Sequence, residues 1–251
     1  MVQLVRYGIA QAAPALLAVP GIDGSIGSIA PLVEKLSTQR EVIVVDYTAE
    51  TNPTLGALAA EIADVAKAEI TGPVDIHGQS IGTIIAAELA SSHGLAVRRV
   101  VLTCTFTRLN WMKLRLGNFL LRLTPNWLYR LTSPLIMKIV CGPVGDGKHH
   151  PFFAASRQSD KKAVIKRTAW QIERDFSADL LKIQSPLLIL MGEKDRFVPN
   201  ATHEIEKLRH LFAGRPVQVI SIPNAGHVLL HSAAITFAVS QIEVFLNARI
   251  S

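Results

Sequence analysis

Pro73-Val74-Asp75-Ile76-His77-Gly78-Gln79-Ser80-Ile81-Gly82 is the stretch that decides how this chain folds. A short apolar run, Val74–Ile76, gives way to a serine flanked by two glycines and then to an Ala-rich helical pattern, Ile81–Ser92. Glycines two residues either side of Ser80 suit a tight strand-to-helix turn, where bulkier flanks would clash and the hydroxyl projects from the sheet edge. The helix N-terminus behind Ser80 favours negative charge developing beside it. The plain structural alternative is a Gly-rich turn whose serine caps the helix.

The same strand–helix rhythm extends in both directions. Apolar runs at Ala15–Val19, Glu41–Asp46, Val97–Thr103, Leu187–Met191 and Val217–Ile222 read as strands covered on both faces. Helical patterns fall between them at Ile29–Leu36, Leu55–Glu69, Ala201–Phe212 and Val228–Ala248. Alternation of this kind predicts an α/β fold: a mostly parallel sheet, right-handed crossovers, and helices on both faces. One segment breaks the rhythm. Residues 108–170 hold no convincing strand and all three tryptophans, and are too long for a plain connection. Helices are predicted there at Asn110–Leu123, Asn126–Leu131, Pro134–Val140 and Ala154–Arg167, with a loop at Gly142–His150. The expected organisation is therefore a core of residues 1–107 and 171–251 with a helical insertion at 108–170.

A serine nucleophile needs a base, and the base needs an orienting acid. The run Leu187–Met191 enters the polar loop Gly192-Glu193-Lys194-Asp195-Arg196-Phe197-Val198-Pro199, placing Asp195 just past a strand end, where α/β sites are built. The run Val217–Ile222 enters Pro223-Asn224-Ala225-Gly226-His227, placing His227 in a second such loop. An oxyanion needs two backbone N–H donors. Ile81, after the serine, supplies one; Ile22, in Val19-Pro20-Gly21-Ile22-Asp23-Gly24-Ser25, supplies the other by position. Competing groups are weaker. Glu193 is expected to point away, His77 to lie in the core layer, and His231 to pack or face solvent. His149 and His150 lack further ligands at a supporting spacing, so no metal and no cofactor is expected.

These motifs resemble the α/β-hydrolase superfamily, and the likeness covers nearly the whole chain apart from the insertion. Gly78-Gln79-Ser80-Ile81-Gly82, the Gly192–Pro199 stretch and Asn224-Ala225-Gly226-His227 carry it. The resemblance implies Ser80 as nucleophile, His227 as base and Asp195 as its orienting acid. It equates the insertion with a cap, and the short N-terminus with loss of the first of eight usual strands. Substrate contacts are expected from Gly21, Asp23, Gln79, Trp111 and Phe119. Departures stand at Pro20, where many members have His, and at Gln79 and Thr83, where many have His and Gly. A serine nucleophile argues against haloalkane dehalogenases and epoxide hydrolases, whose members use aspartate. Pro20–Leu36 together with Gly78–Ala90 also resembles thioesterases of fatty-acid and polyketide assembly.

Composition narrows the classes further. With 251 residues, 49% hydrophobic and 18% charged, the chain buries enough apolar surface to fold. Its +6 net charge is local: residues 108–170 hold twelve Lys and Arg against two Asp and Glu. The remainder is mildly acidic, and no nucleic-acid motif accompanies the basic segment. Cys104 and Cys141 are too few for a disulfide framework, which predicts a reducing, cytoplasmic setting. In the insertion, Arg115, Asn118 and Arg122 share one narrow face and leucines cover most of the rest. Such a helix must either be sandwiched between core and cap or dip into lipid. The expected partner is a small-molecule ester or acyl substrate, with transient contact to a membrane or anionic surface through the basic cap. Two classes of function stay open: an ester, thioester or lactone hydrolase, and a binding protein that retains the fold.

Overall fold

The computed structural model describes residues 1–9, 14–142, 151–229 and 232–248. Its sheet contains β1 (Gln3–Tyr7), β2 (Leu16–Val19), β3 (Val42–Asp46), β4 (Val74–Gln79), β5 (Val97–Thr103), β6 (Leu187–Gly192) and β7 (Val217–Ile222). The order across it is β1-β3-β2-β4-β5-β6-β7. All neighbours pair in parallel except the edge strand β1, which runs antiparallel to β3. β2, β4 and β6 are buried along their whole length, as strands covered on both faces must be. β1 carries no such run. Its five residues, Gln3 and Arg6 among them, lie half-buried to exposed at the sheet edge, and neither an apolar run nor an alternation marks them in the sequence.

α1 (Ala30–Leu36) and α10 (Ser232–Asn247) cover one face of the sheet. α2 (Leu55–Glu69) and α3 (Ile81–Ser92) cover the other, with α8 (Ser177–Leu181) and α9 (Ala201–Leu211). Capping sets several of these starts: Thr54 accepts from Ala57 N and Asn200 from His203 N. Crossovers place the C-terminal ends of β2, β4, β6 and β7 along one edge, so the residues that follow them meet there.

Between β5 and α8 lie α4 (Trp111–Leu123), α5 (Asn126–Cys141), α6 (Pro151–Gln158) and α7 (Lys161–Ala169). α4 begins at the Asn110 cap and stops at Thr124–Pro125. The two helices expected on either side of Pro134 are one, α5, with the proline inside it. Tyr129, bonded to Ser159, and Ser133, bonded to Ser156 O, pin the N-terminal half of α5, up to Pro134, to the α6 region. The single helix expected over 154–167 is instead two. Asp160 accepts from Lys162 N and starts α7 afresh. The expected loop at 142–150 falls almost wholly outside the described residues.

Candidate active site

Ser80 stands between β4 and α3 at φ 55° and ψ −126°, a backbone conformation costly for a residue with a side chain. Its neighbours hold it there. Ser80 N donates to Thr103 O (3.0 Å), and Ser80 O accepts from Thr83 N (2.9 Å) and Thr83 Oγ1 (2.6 Å). Thr83 is itself held by Thr105 Oγ1 at 2.9 Å. The glycines are required by close approach: a Cβ on Gly78 would lie 2.5 Å from Gly82 O, and one on Gly82 2.5 Å from Val19 O.

The three polar side chains form one chain of hydrogen bonds. His227 Nε2 lies 2.8 Å from Ser80 Oγ, and His227 Nδ1 lies 2.6 Å from Asp195 Oδ2. Asp195 Oδ1 accepts from Phe197 N (2.8 Å) and Val198 N (3.0 Å), which fixes the carboxylate. An acceptor at Nδ1 assigns the proton there and leaves Nε2 free to accept from the serine. His227 and Asp195 are buried. The Phe197 ring stands 4.7 Å from the imidazole, and His227 N donates to Cys141 O at 2.7 Å. Close approach also joins the two loops: a Cβ on Gly192 would sit 2.5 Å from both Ala225 O and Gly226 O.

The turn after β2 lies against the serine, with Gly21 placed so that a Cβ would touch Ser80 Cβ at 3.6 Å. Ile22 lines the cavity beside Ser80, and Ile81 begins α3, where N–H groups have no acceptor within the helix. Asp23 accepts from Ser25 Oγ (2.6 Å) and Ser28 Oγ (3.2 Å), tying the turn together. Burial pushes its carboxyl above the usual range, and those two serine bonds partly oppose this.

A cavity of about 440 Å³ opens beside Ser80, a size ordinary for small-molecule sites. Gly21, Ile22, Asp23, Gln79, Ser80 and His227 line its floor. Leu114, Leu121, Ile136, Ile139 and Val140 supply an apolar roof from α4 and α5. Trp111 and Phe119, expected against the substrate, do not line it. They are 37% and 57% exposed. The reason is the orientation of α4: Asn118 points inward and donates to Ile165 O at 2.6 Å, which turns most of the apolar side outward. α4 is therefore not sandwiched, as the first of the two readings required.

The other histidines sort as follows. His77 is fully buried, 3.0 Å from Thr103 Oγ1, and burial lowers its pKa to about 3, so it stays neutral in the sheet. Glu193 is exposed and takes no part. His149, His150 and His231 lie outside the described residues. Among the described residues, Cys104, Asp195 and His227 are the one grouping close enough to share a metal. Both His227 nitrogens are already bonded, and burial raises the Cys104 thiol well above its ordinary pKa, so the donors are not free for one.

One anchor has no signal in the sequence. Arg167, on α7, is buried, with its guanidinium 4.7 Å from the Tyr47 ring. It donates to Ile22 O (2.8 Å), Tyr47 O (2.5 Å) and Glu50 Oε1 (3.2 Å). The Tyr47 hydroxyl is in turn shared between Pro20 O (2.7 Å) and Gly21 O (2.5 Å). A helix of the insertion thus grips the turn that carries Gly21 and Ile22. Only a pattern of partners distant in sequence distinguishes this arginine from its basic neighbours.

The fold and this site define an α/β hydrolase. The model described as alpha/beta hydrolase family matches residues 16–239, and the chain belongs to that family. It is 27% identical over 185 residues to a pimeloyl-[acyl-carrier protein] methyl ester esterase of Neisseria meningitidis, covering 70% of this chain and 71% of that one. An enol-lactonase from Burkholderia xenovorans has a similar structure, with TM-score 0.77 and 18% identity over 98% of this chain and 96% of that one. A carboxylesterase from Bacillus subtilis superposes with TM-score 0.77 and 19% identity, covering 99% and 88%.

Proposed function

We propose that this protein hydrolyses a carboxylic ester through an acyl-serine intermediate. The observation that carries the reading is the relay from Asp195 through His227 to Ser80, at 2.6 and 2.8 Å, facing an apolar cavity. Ser80 Oγ attacks the ester carbonyl while His227 Nε2 takes its proton. Asp195 stabilises the imidazolium that forms. The N–H groups of Ile22 and Ile81 stabilise the tetrahedral oxyanion. His227 then gives the proton to the departing alkoxide, and water repeats the cycle on the acyl-enzyme, returning serine and a carboxylic acid.

Residues 108–170 act as a cap whose apolar roof selects a hydrophobic acyl or alkyl group. The relative that acts on a methyl ester of a carrier-bound acyl chain, and the lactonase and carboxylesterase neighbours, support an ester or lactone over other hydrolytic chemistry. Turnover of p-nitrophenyl esters of graded acyl length, with matching thioesters and lactones, tests the reading. Activity on esters that vanishes in Ser80→Ala is expected. Background hydrolysis alone, in wild type and variant across all three series, would return the chain to a binding role.

A further inference from the structure

Two helices of the insertion carry apolar side chains toward solvent as well as toward the cavity. On α5 the outward residues Trp127, Leu131, Leu135 and Ile139 follow each other every fourth position and are 67%, 64%, 60% and 59% exposed. The inward face holds Tyr129 and Ser133, both buried and hydrogen bonded. On α4, Met112, Leu116, Leu120 and Leu123 are 60%, 60%, 53% and 66% exposed, while the buried residue is Asn118. Helical side chains four apart share a face, so each helix presents an unbroken apolar stripe to solvent. Isolated exposed leucines are ordinary, but a stripe on each of two consecutive helices that roof the same cavity is of the kind that marks an interaction site.

The charges around the stripes indicate what covers them. Residues 111–141 contain no Asp or Glu, and carry Lys113, Arg115, Arg122, Arg130 and Lys138, all exposed. Arg115 makes a surface pair with Glu173 at 3.2 Å. For the other four, no acidic partner is found among the described residues. A second copy docked here would set like charges against each other. A bilayer surface suits both features, with acyl chains for the stripes and anionic headgroups for the cations. No helix among the described residues is long and apolar enough to cross a membrane, so the contact is with the surface.

We infer that the outward face of α4 and α5 docks this protein onto an anionic lipid bilayer. Ile136 and Ile139 are 46% and 59% exposed and also line the cavity that reaches Ser80. The cavity therefore opens on the docking face. This last consequence rests on the ester-hydrolase reading: a hydrophobic ester would pass from the bilayer into the site without crossing water.

Cosedimentation of the full chain with two kinds of vesicle tests the docking. One kind is phosphatidylcholine alone; the other has about a third of it replaced by phosphatidylglycerol. Binding is expected to the anionic vesicles, weakening at high salt, and at least about tenfold weaker to phosphatidylcholine. Leu131→Ser with Leu135→Ser, outside the cavity, is expected to weaken binding at least about tenfold. Hydrolysis of p-nitrophenyl acetate and the melting temperature should stay unchanged. Arg130→Gln with Lys138→Gln should abolish most of the preference for anionic vesicles. Absence of binding by a monomeric chain would overturn the proposal. So would equal binding to both vesicles, a dimer dispersed by the two serines, or capture of an acidic carrier protein with no lipid binding. A chain that binds vesicles yet hydrolyses nothing fails the ester reading alone. One that hydrolyses soluble esters and ignores vesicles fails the docking alone.

Discussion

Gly82→Ala probes the tightest point of the site. Gly82 is the second residue of α3, where alanine improves intrinsic helix propensity by about 1 kcal/mol, so propensity alone predicts a gain. Packing predicts the opposite. The new methyl would stand 2.5 Å from Val19 O and closer still to Pro20 O, where Cβ atoms keep at least 3.0 Å. Both obstacles are backbone, so the end of β2 must retreat by at least about half an ångström, and more at Pro20. Pro20 leads directly into Gly21 and Ile22, beside Ser80. A misplacement approaching 1 Å at a reacting centre costs roughly 100-fold, so kcat/KM on a short p-nitrophenyl ester is expected to fall about 10- to 100-fold. Overpacking should cost a further 1–3 kcal/mol or so of stability, read as a lowered melting temperature. Gly56→Ala on α2 is the control, since a Cβ there meets only Glu88 Oε1, at 4.0 Å. It should leave activity intact and stability equal or slightly higher. Full activity and an undiminished melting temperature in Gly82→Ala would refute the close approach of β2 to α3.

Three further outcomes are expected. Asp195→Asn should keep the fold and lower kcat by roughly 10³- to 10⁴-fold, because the amide cannot hold the Nδ1–H tautomer of His227 in the same way; near-normal turnover would exclude Asp195 from the relay. Arg167→Met leaves the buried Glu50 carboxylate with Lys166 (2.9 Å) as its remaining ion-pair partner, and should cost about 3–5 kcal/mol in urea unfolding. Adding Glu50→Gln should recover part of that loss, and strict additivity would deny the pairing. His77 is neutral when folded down to about pH 3, whereas an unfolded imidazole charges near 6.5. The unfolded chain therefore binds the extra proton between those values, so this stability is fully present above about pH 6.5 and is lost as pH falls toward 3. The loss amounts to about 5 kcal/mol at most. His77→Gln should flatten urea midpoints between about pH 7 and pH 5 relative to wild type, and parallel curves would contradict a buried neutral His77.

Much of the site was legible in the chain because its signals are local. The turn at Ser80 and the loop carrying Asp195 follow apolar runs that are fully buried strands, whereas the loop carrying His227 follows β7, an edge strand that is only partly buried although its run reads as one covered on both faces. In a parallel sheet the ends of such strands share one edge. Thr83 was visible only as a departure from a family pattern; its bonds to Ser80 O and Thr105 give it a place in the turn.

What the sequence alone determined is the alternation of strands and helices, and hence the order in which Ser80, Asp195 and His227 arrive at one edge. What the tertiary structure decided is the direction in which side chains of the insertion point. A helix with leucines on most of its circumference does not declare which side its neighbours occupy. Asn118 reaching Ile165 O turned α4 so that Phe119 and Trp111 face away from the cavity while Leu114 and Leu121 line it. Arg167 gained its hold on the Ile22 carbonyl in the same way, from a partner 145 residues away. Periodicity records which residues share a face; only contacts distant in sequence decide where that face looks.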